Sequence, residues 1–137
     1  MKTICVVDGQ GGGIGSAIIK MLKQVFEERV ELIALGTNAI ATANMLKAKA
    51  NRGASGENAI VQSVKHTDCI IGSISIIMAQ AMLGEVTPNM AAAIASSRAK
   101  KVLIPLSQEN VEVVGVSSMP LPRLIETMVK ENLSNLI

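Results

Sequence analysis

At 137 residues, with 49% apolar and 18% charged residues, the chain is long enough for one domain with a sizeable core and too apolar for a disordered segment. A net charge of +2, no tryptophan or tyrosine and one aromatic residue, Phe26, exclude a basic patch interleaved with aromatics, so no nucleic-acid partner is expected. Cys5 and Cys69 lie inside apolar runs, which predicts free buried thiols in a reducing compartment.

The first element is a β-branched run, Ile4 to Val7, ending at Asp8. No signal peptide is read ahead of it, because Lys2 leads directly into the strand. Five glycines follow within seven residues: Gly9, Gly11, Gly12, Gly13 and Gly15. Ile14, Ile18, Met21, Leu22 and Val25 then recur at helical spacing and give one apolar stripe. The pattern is strand, glycine-rich turn, helix. The first N–H groups of a helix lack intrahelical partners, and the helix dipole makes their end positive, so such a turn can hold an anion, usually phosphate. The candidate binding stretch is therefore Gly9, Gln10, Gly11, Gly12, Gly13, Ile14, Gly15 and Ser16. The alternative is a turn whose glycines only bring a helix close to a sheet.

The dinucleotide pattern G-x-G-x-x-G counted from Gly9 fails, because Ile14 stands at its third glycine. Gly9-x-x-x-Gly13-Ile14-Gly15 instead resembles the turn of short-chain dehydrogenases. That family also needs a catalytic tyrosine, and this chain has none. The resemblance thus implies a phosphate-binding turn without hydride-transfer machinery.

Val30 to Leu35 is the second strand, followed by Gly36-Thr37-Asn38 and an alanine-rich helix from Ala39 to Ala50. Dinucleotide-binding sheets place an acid at the end of this strand for the ribose hydroxyls. Here Thr37 and Asn38 stand in that place, either to bond a ribose or phosphate or to cap the helix. A second glycine-containing turn, Gly53 to Asn58, offers Glu57 and Asn58 as further ligand contacts. With Ser55 as cap it alternatively starts a helix reaching about His66. Asp68 to Gly72 is the third strand.

Ile74 to Leu83 is apolar nearly all round, which predicts a helix either buried or pressed against a second subunit, and Gly84 ends it. A homodimer through Ile74 to Met90 is expected. The longest apolar run, Cys69 to Leu83, is broken by Gly72, Ser73, Ser75 and Gln80 and is too short to span a bilayer, so no membrane association and a cytoplasmic location are expected. Thr87 and Pro88 restart a helix that runs to about Lys100. Lys101 to Leu106 is the fourth strand and Val111 to Val116 the fifth, joined by too few residues for a parallel crossover. Pro120 and Pro122 open a last helix carrying Leu121, Leu124, Ile125, Met128 and Leu133.

Alternating strands and helices predict an α/β, three-layer, Rossmann-like fold in a single domain, residues 1–137. The expected sheet is mostly parallel, with five strands in the order 2-1-3-4-5 and strand 5 antiparallel. The order 3-2-1-4 is the alternative if Ala59 to Val64 is a strand. Either way the ligand crevice falls at the carboxyl ends of the strands. Residues 8–15, 36–38, 72–75 and 106–108 are presented there.

Asp8 ends the first strand at that crevice, where a carboxylate can act as acid/base or hold Mg²⁺ beside a phosphate. Alternatively it accepts N–H bonds and shapes the turn. One histidine, His66, and two separated cysteines give no metal set, and no phosphate loop ending in Gly-Lys-Ser/Thr and no nucleophile elbow are present.

Taken end to end, the chain resembles a small, uncharacterised bacterial family of about this length. The carrying segments are Asp8 to Gly15, Ala34 to Ala39, Gly56 to Ala59, Met82 to Pro88 and Ile104 to Leu106. The resemblance implies a Rossmann-like domain and no activity. The expected function is to bind a nucleotide or another phosphorylated small molecule at the glycine turn, as sensor or binding module. NAD(P) or a mononucleotide is the candidate ligand. An enzyme using Asp8, and an assembly protein with no ligand, are the alternatives.

Overall fold

The computed structural model describes residues 1–107 and 109–136. The β-branched run at the start becomes β1, Lys2–Asp8, and the second apolar run becomes β2, Val30–Gly36. β3 is Arg52–Ser55, β4 is Cys69–Ser73 and β5 is Lys100–Ile104. The helices are α1, Gly13–Phe26; α2, Ala39–Lys47; α3, Glu57–Ser63; α4, Pro88–Ser96; and α5, Leu121–Thr127, which continues into a π-helical turn at Met128–Asn132.

The sheet is wholly parallel, in the order β3-β2-β1-β4-β5. From β1 the chain grows outward one way through β2 and β3, then returns to the other side of β1 for β4 and β5. Side chains of β1 alternate between the faces. Ile4 and Val6 join Ile18, Ile19, Leu22, Met45 and Leu124 under α1, α2 and α5. Cys5 and Val7 join Ile60, Ile76, Met90 and Ile94 under α3 and α4. Both faces are thus covered, which is why β1 and β4 read as unbroken apolar runs.

Two strand assignments differ from expectation. Val111–Val116 is not an antiparallel fifth strand but part of an irregular loop, with Val114 98% exposed. That loop carries the chain to the α1 face, where α5 covers Val102 and Ile104. The outer edge of β5 is thus left unpaired among the described residues, and the β-branched residues of the loop stay largely exposed. The fifth strand is instead Arg52–Ser55, at the opposite edge. Its composition is poor for a strand, but β2 presents an open ladder to it. The Asn51 amide donates to the Leu32 carbonyl and the Gly56 amide to the Gly36 carbonyl, at 2.8 Å each. Arg52 pairs with Glu31 at 3.0 Å across the same edge. Ala59 to Val64 falls in α3 and its last turn, so the extra strand beside β2 arises without it.

The expected helix over Ile74 to Leu83 is a short 3₁₀ turn, Ile74–Ile77, followed by turns. Gln80, Met82 and Leu83 all have φ between 57° and 71°, which no α-helix contains. The apolar side chains of this stretch serve the chain's own core: Ile76, Ala81, Val86 and Met90 are buried. Leu83, 96% exposed, is the exception. No helix among the described residues is long and apolar enough to cross a membrane.

Candidate functional site

β1 and β4 are neighbours from which the chain departs to opposite faces, so a crevice opens beyond their carboxyl ends. A cleft of about 270 Å³ lies there. Asp8, Gln10 and Ile14 form its wall on the β1 side, Ser73 and Ser75 its β4 side. Met82 and the loop residues Leu106, Ser107 and Glu109 complete it. Gln10 and Ile14, on either side of Gly11, Gly12 and Gly13, line the cleft; the glycines themselves do not. Of the other expected crevice residues, Gln108 lies outside the described residues.

The turn is built from inside. Gly12 has φ 73°, caps α1, and would drive a Cβ to 2.8 Å from the Ala41 carbonyl oxygen. A Cβ on Gly15 would fall 2.5 Å from Met45 Sδ and 2.9 Å from Asp8 Cβ, so glycine there is what lets α1 sit against α2 and β1. Gly11 and Gly13 meet no such constraint: a Cβ on either would point into open space. None of the described residues accepts a hydrogen bond from the amide of Gly11 or of Gly13. The Ser16 hydroxyl, on the first turn of α1, is buried without a partner among the described residues.

Asp8 is 5% exposed and both of its oxygens are engaged. Oδ1 accepts from the Gly9 amide at 2.8 Å and Oδ2 from the Gly15 amide at 2.7 Å. It thus supplies a negative charge to the start of α1 from within the chain. Burial pushes its carboxyl above the ordinary aspartate value, against the lowering effect of those amides.

Sequence reasoning missed Glu85. Its Oε1 accepts from the Gln10 amide at 2.8 Å, Thr37 Oγ1 at 2.7 Å and Asn38 Nδ2 at 2.8 Å. Burial would raise this carboxyl, but the three donors together hold it below the ordinary glutamate value. Glu85 joins the β1–α1 turn to the end of β2 from a loop nearly fifty residues away in the chain, as the 47-residue separation from Asn38 records. It therefore brings a carboxylate to the strand end where dinucleotide-binding sheets carry one in sequence. No local pattern signals this; Gly84-Glu85 reads as an ordinary helix stop. Asn38 meanwhile caps α2 through the Ala41 amide at 2.8 Å, and its Nδ2 also donates to the Gln10 carbonyl at 3.0 Å.

Glu57 lies away from the cleft and ties α3 to α4. It accepts from Thr87 Oγ1 and from Asn89 Nδ2, and the Thr87 bond above all holds its carboxyl below the ordinary value. Asn58 is exposed beside it. Neither lines the cleft. Ser55 bonds Thr42 Oγ1 at 2.7 Å, and Gly56 rather than Ser55 is the cap of α3. Among the described residues no three histidine, cysteine, aspartate or glutamate side chains converge to hold a metal.

The family described as a domain of unknown function (DUF3842) matches residues 3–136, and the chain belongs to it. No curated protein and no solved structure matches the chain.

Proposed function

We propose that this member of a family without an assigned activity is a binding module for a phosphorylated small molecule, a nucleotide among the candidates. The observation that carries the reading is the pair Gly11 and Gly13. Their amides are unused by the described residues, they stand at the positive end of α1, and the fold itself does not require glycine at either place. Two backbone donors beside an open, Cβ-free surface suit a phosphate. The remainder of the ligand extends into the cleft at the sheet's switch point. Thr37, Asn38 and Glu85 do not line the cleft but are tied to it through the Gln10 amide, which donates to Glu85 Oε1; a ligand reaching past Gln10 would meet the Glu85 carboxylate as an acceptor for its hydroxyls. Glu57 and Asn58 stand outside this arrangement.

Asp8 serves here as scaffold. A carboxylate whose two oxygens already hold the Gly9 and Gly15 amides shapes the turn more readily than it shuttles a proton. Self-association through Ile74 to Met90 is not part of the reading, since the apolar side chains of that stretch mostly face the chain's own core.

The test is Gly13→Leu. Its side chain enters open space, so the protein should fold with an undiminished melting temperature. Thermal-shift titrations with orthophosphate, NAD, NADP, ATP and AMP, with and without Mg²⁺, should show stabilisation of the wild type by at least one of them and none of the variant. Equal shifts in both proteins would place the ligand elsewhere and end this reading.

A further inference from the structure

The wall chemistry of the cleft discriminates among phosphorylated ligands. Ser73 is 3% exposed and lines the cleft, yet none of the described residues bonds its hydroxyl. Ser75 donates to Ser107 at 3.2 Å, and Ser107 also accepts from the Glu109 amide at 2.9 Å. Glu109 Oε1 accepts from the Met82 amide at 3.1 Å, which leaves Oε2 for another donor. Two carboxylates, Asp8 and Glu109, thus face a space that no lysine, arginine or histidine among the described residues lines.

Each class of occupant meets this wall differently. A second anionic group would confront the Glu109 carboxylate, whose Oε2 has no donor among the described residues, with no lysine, arginine or histidine among the described lining residues as counter-charge. A purely apolar group would strand the Ser73 hydroxyl, at the cost of a buried unsatisfied polar group. A group bearing hydroxyls satisfies both sides at once: it donates to Glu109 and pairs with Ser73, while its C–H surfaces rest on Ile14, Met82 and Leu106. With no aromatic side chain in the wall, there is no stacking platform to favour a flat ring.

We infer that the cleft takes the uncharged, hydroxyl-bearing part of a sugar or polyol phosphate, with Ser73 and Glu109 as the residues that set this preference. The inference rests on the phosphate reading above and narrows it. Glycerol 3-phosphate and 3-phosphoglycerate test it, since they differ chiefly by a hydroxymethyl group against a carboxylate. Binding of these two, ribose 5-phosphate and orthophosphate is measured by calorimetry on the wild-type protein, Ser73→Ala, Glu109→Gln and Gly13→Leu.

The expected result is that glycerol 3-phosphate and ribose 5-phosphate bind at least about tenfold more tightly than orthophosphate, and 3-phosphoglycerate no more tightly. Ser73→Ala should weaken ribose 5-phosphate by about five- to tenfold and leave orthophosphate unchanged. Glu109→Gln keeps an oxygen for the Met82 amide and should narrow the gap between glycerol 3-phosphate and 3-phosphoglycerate. If orthophosphate binds and Gly13→Leu abolishes it, while the polyol and carboxylate probes bind equally, the phosphate site stands and the cleft assignment falls. If none of the four compounds binds, both fall.

Discussion

Two carboxylates hold the glycine turn in place, and their titrations run in opposite directions. Glu85 has a carboxyl held below the ordinary glutamate value of 4.5, because three donors stabilise its charged form more than burial destabilises it. Its contribution to stability is therefore present above that ordinary value and lost as pH falls through the lower folded-state value. Asp8 is raised by burial, so its contribution is present below the ordinary aspartate value of 3.8 and declines as pH rises through the raised value. Urea denaturation of Glu85→Gln should accordingly show a shallower loss of stability than the wild type between pH 5 and pH 3. Glu85→Ala at neutral pH, which removes the acceptor of three hydrogen bonds, should cost roughly 1–3 kcal/mol. An unchanged denaturation midpoint in both variants would show that the Gln10, Thr37 and Asn38 bonds contribute nothing. Asp8 was legible as a turn-facing carboxylate because it directly precedes the glycines. Glu85 was not, because its partners lie in two other segments.

At the scale of elements, the difference between reading and structure comes down to edges. Arg52–Ser55 carries no apolar alternation and is mostly exposed, so nothing local marks it as a strand. It is one because β2 offers an unpaired ladder and α2 delivers the chain to it in parallel. Thr42 Oγ1 fastens the junction by donating toward the Asn38 carbonyl at 3.1 Å and the Ala54 carbonyl at 3.2 Å. Val111–Val116 has the opposite character, with high strand propensity and no partner; such propensity is expressed only where a pleated, half-buried surface is available. The α1 junction depends on its own geometry. Gly12→Ala should destabilise the protein by at least about 1–2 kcal/mol in urea denaturation, from the left-handed backbone alone. Contact with the Ala41 carbonyl adds to that. Gly13→Leu, one residue on, should not. Equal effects at the two positions would contradict the described turn.

In the whole molecule, the two faces of the sheet separate Cys5 and Cys69 even though their strands are adjacent. Ile4 pairs with Cys69 in register, Cys5 joins the core beneath α3 and α4, and Cys69 joins that beneath α1 and α5. Both thiols are free, and burial pushes that of Cys69 up to about 11 and raises that of Cys5. The thiolate is the reactive form, so neither should react with a disulfide reagent at neutral pH until the protein unfolds. Both should then react together, at the denaturant concentration of the global transition. Labelling of one cysteine well before that transition would reveal independent opening of one face.

Periodicity and composition in the sequence determined the α/β class, the strand–turn–helix unit from Lys2 to Phe26, the cap at Thr87, a cap at Thr37 or Asn38, and the central strands. Each of these is governed by interactions within a few residues of chain or by burial on both faces of a sheet. The tertiary structure decided which segments close the sheet's edges, since an edge strand is defined by its neighbour more than by its own side chains. It also decided that the Ile74 to Leu83 stretch folds as turns into the chain's own core, and that Glu85 and Glu109 reach the strand ends beside the glycine turn. Glu85 and Glu109 come from loops far from the turn in sequence, and only the parallel sheet, by gathering strand ends on one side, brings them beside it.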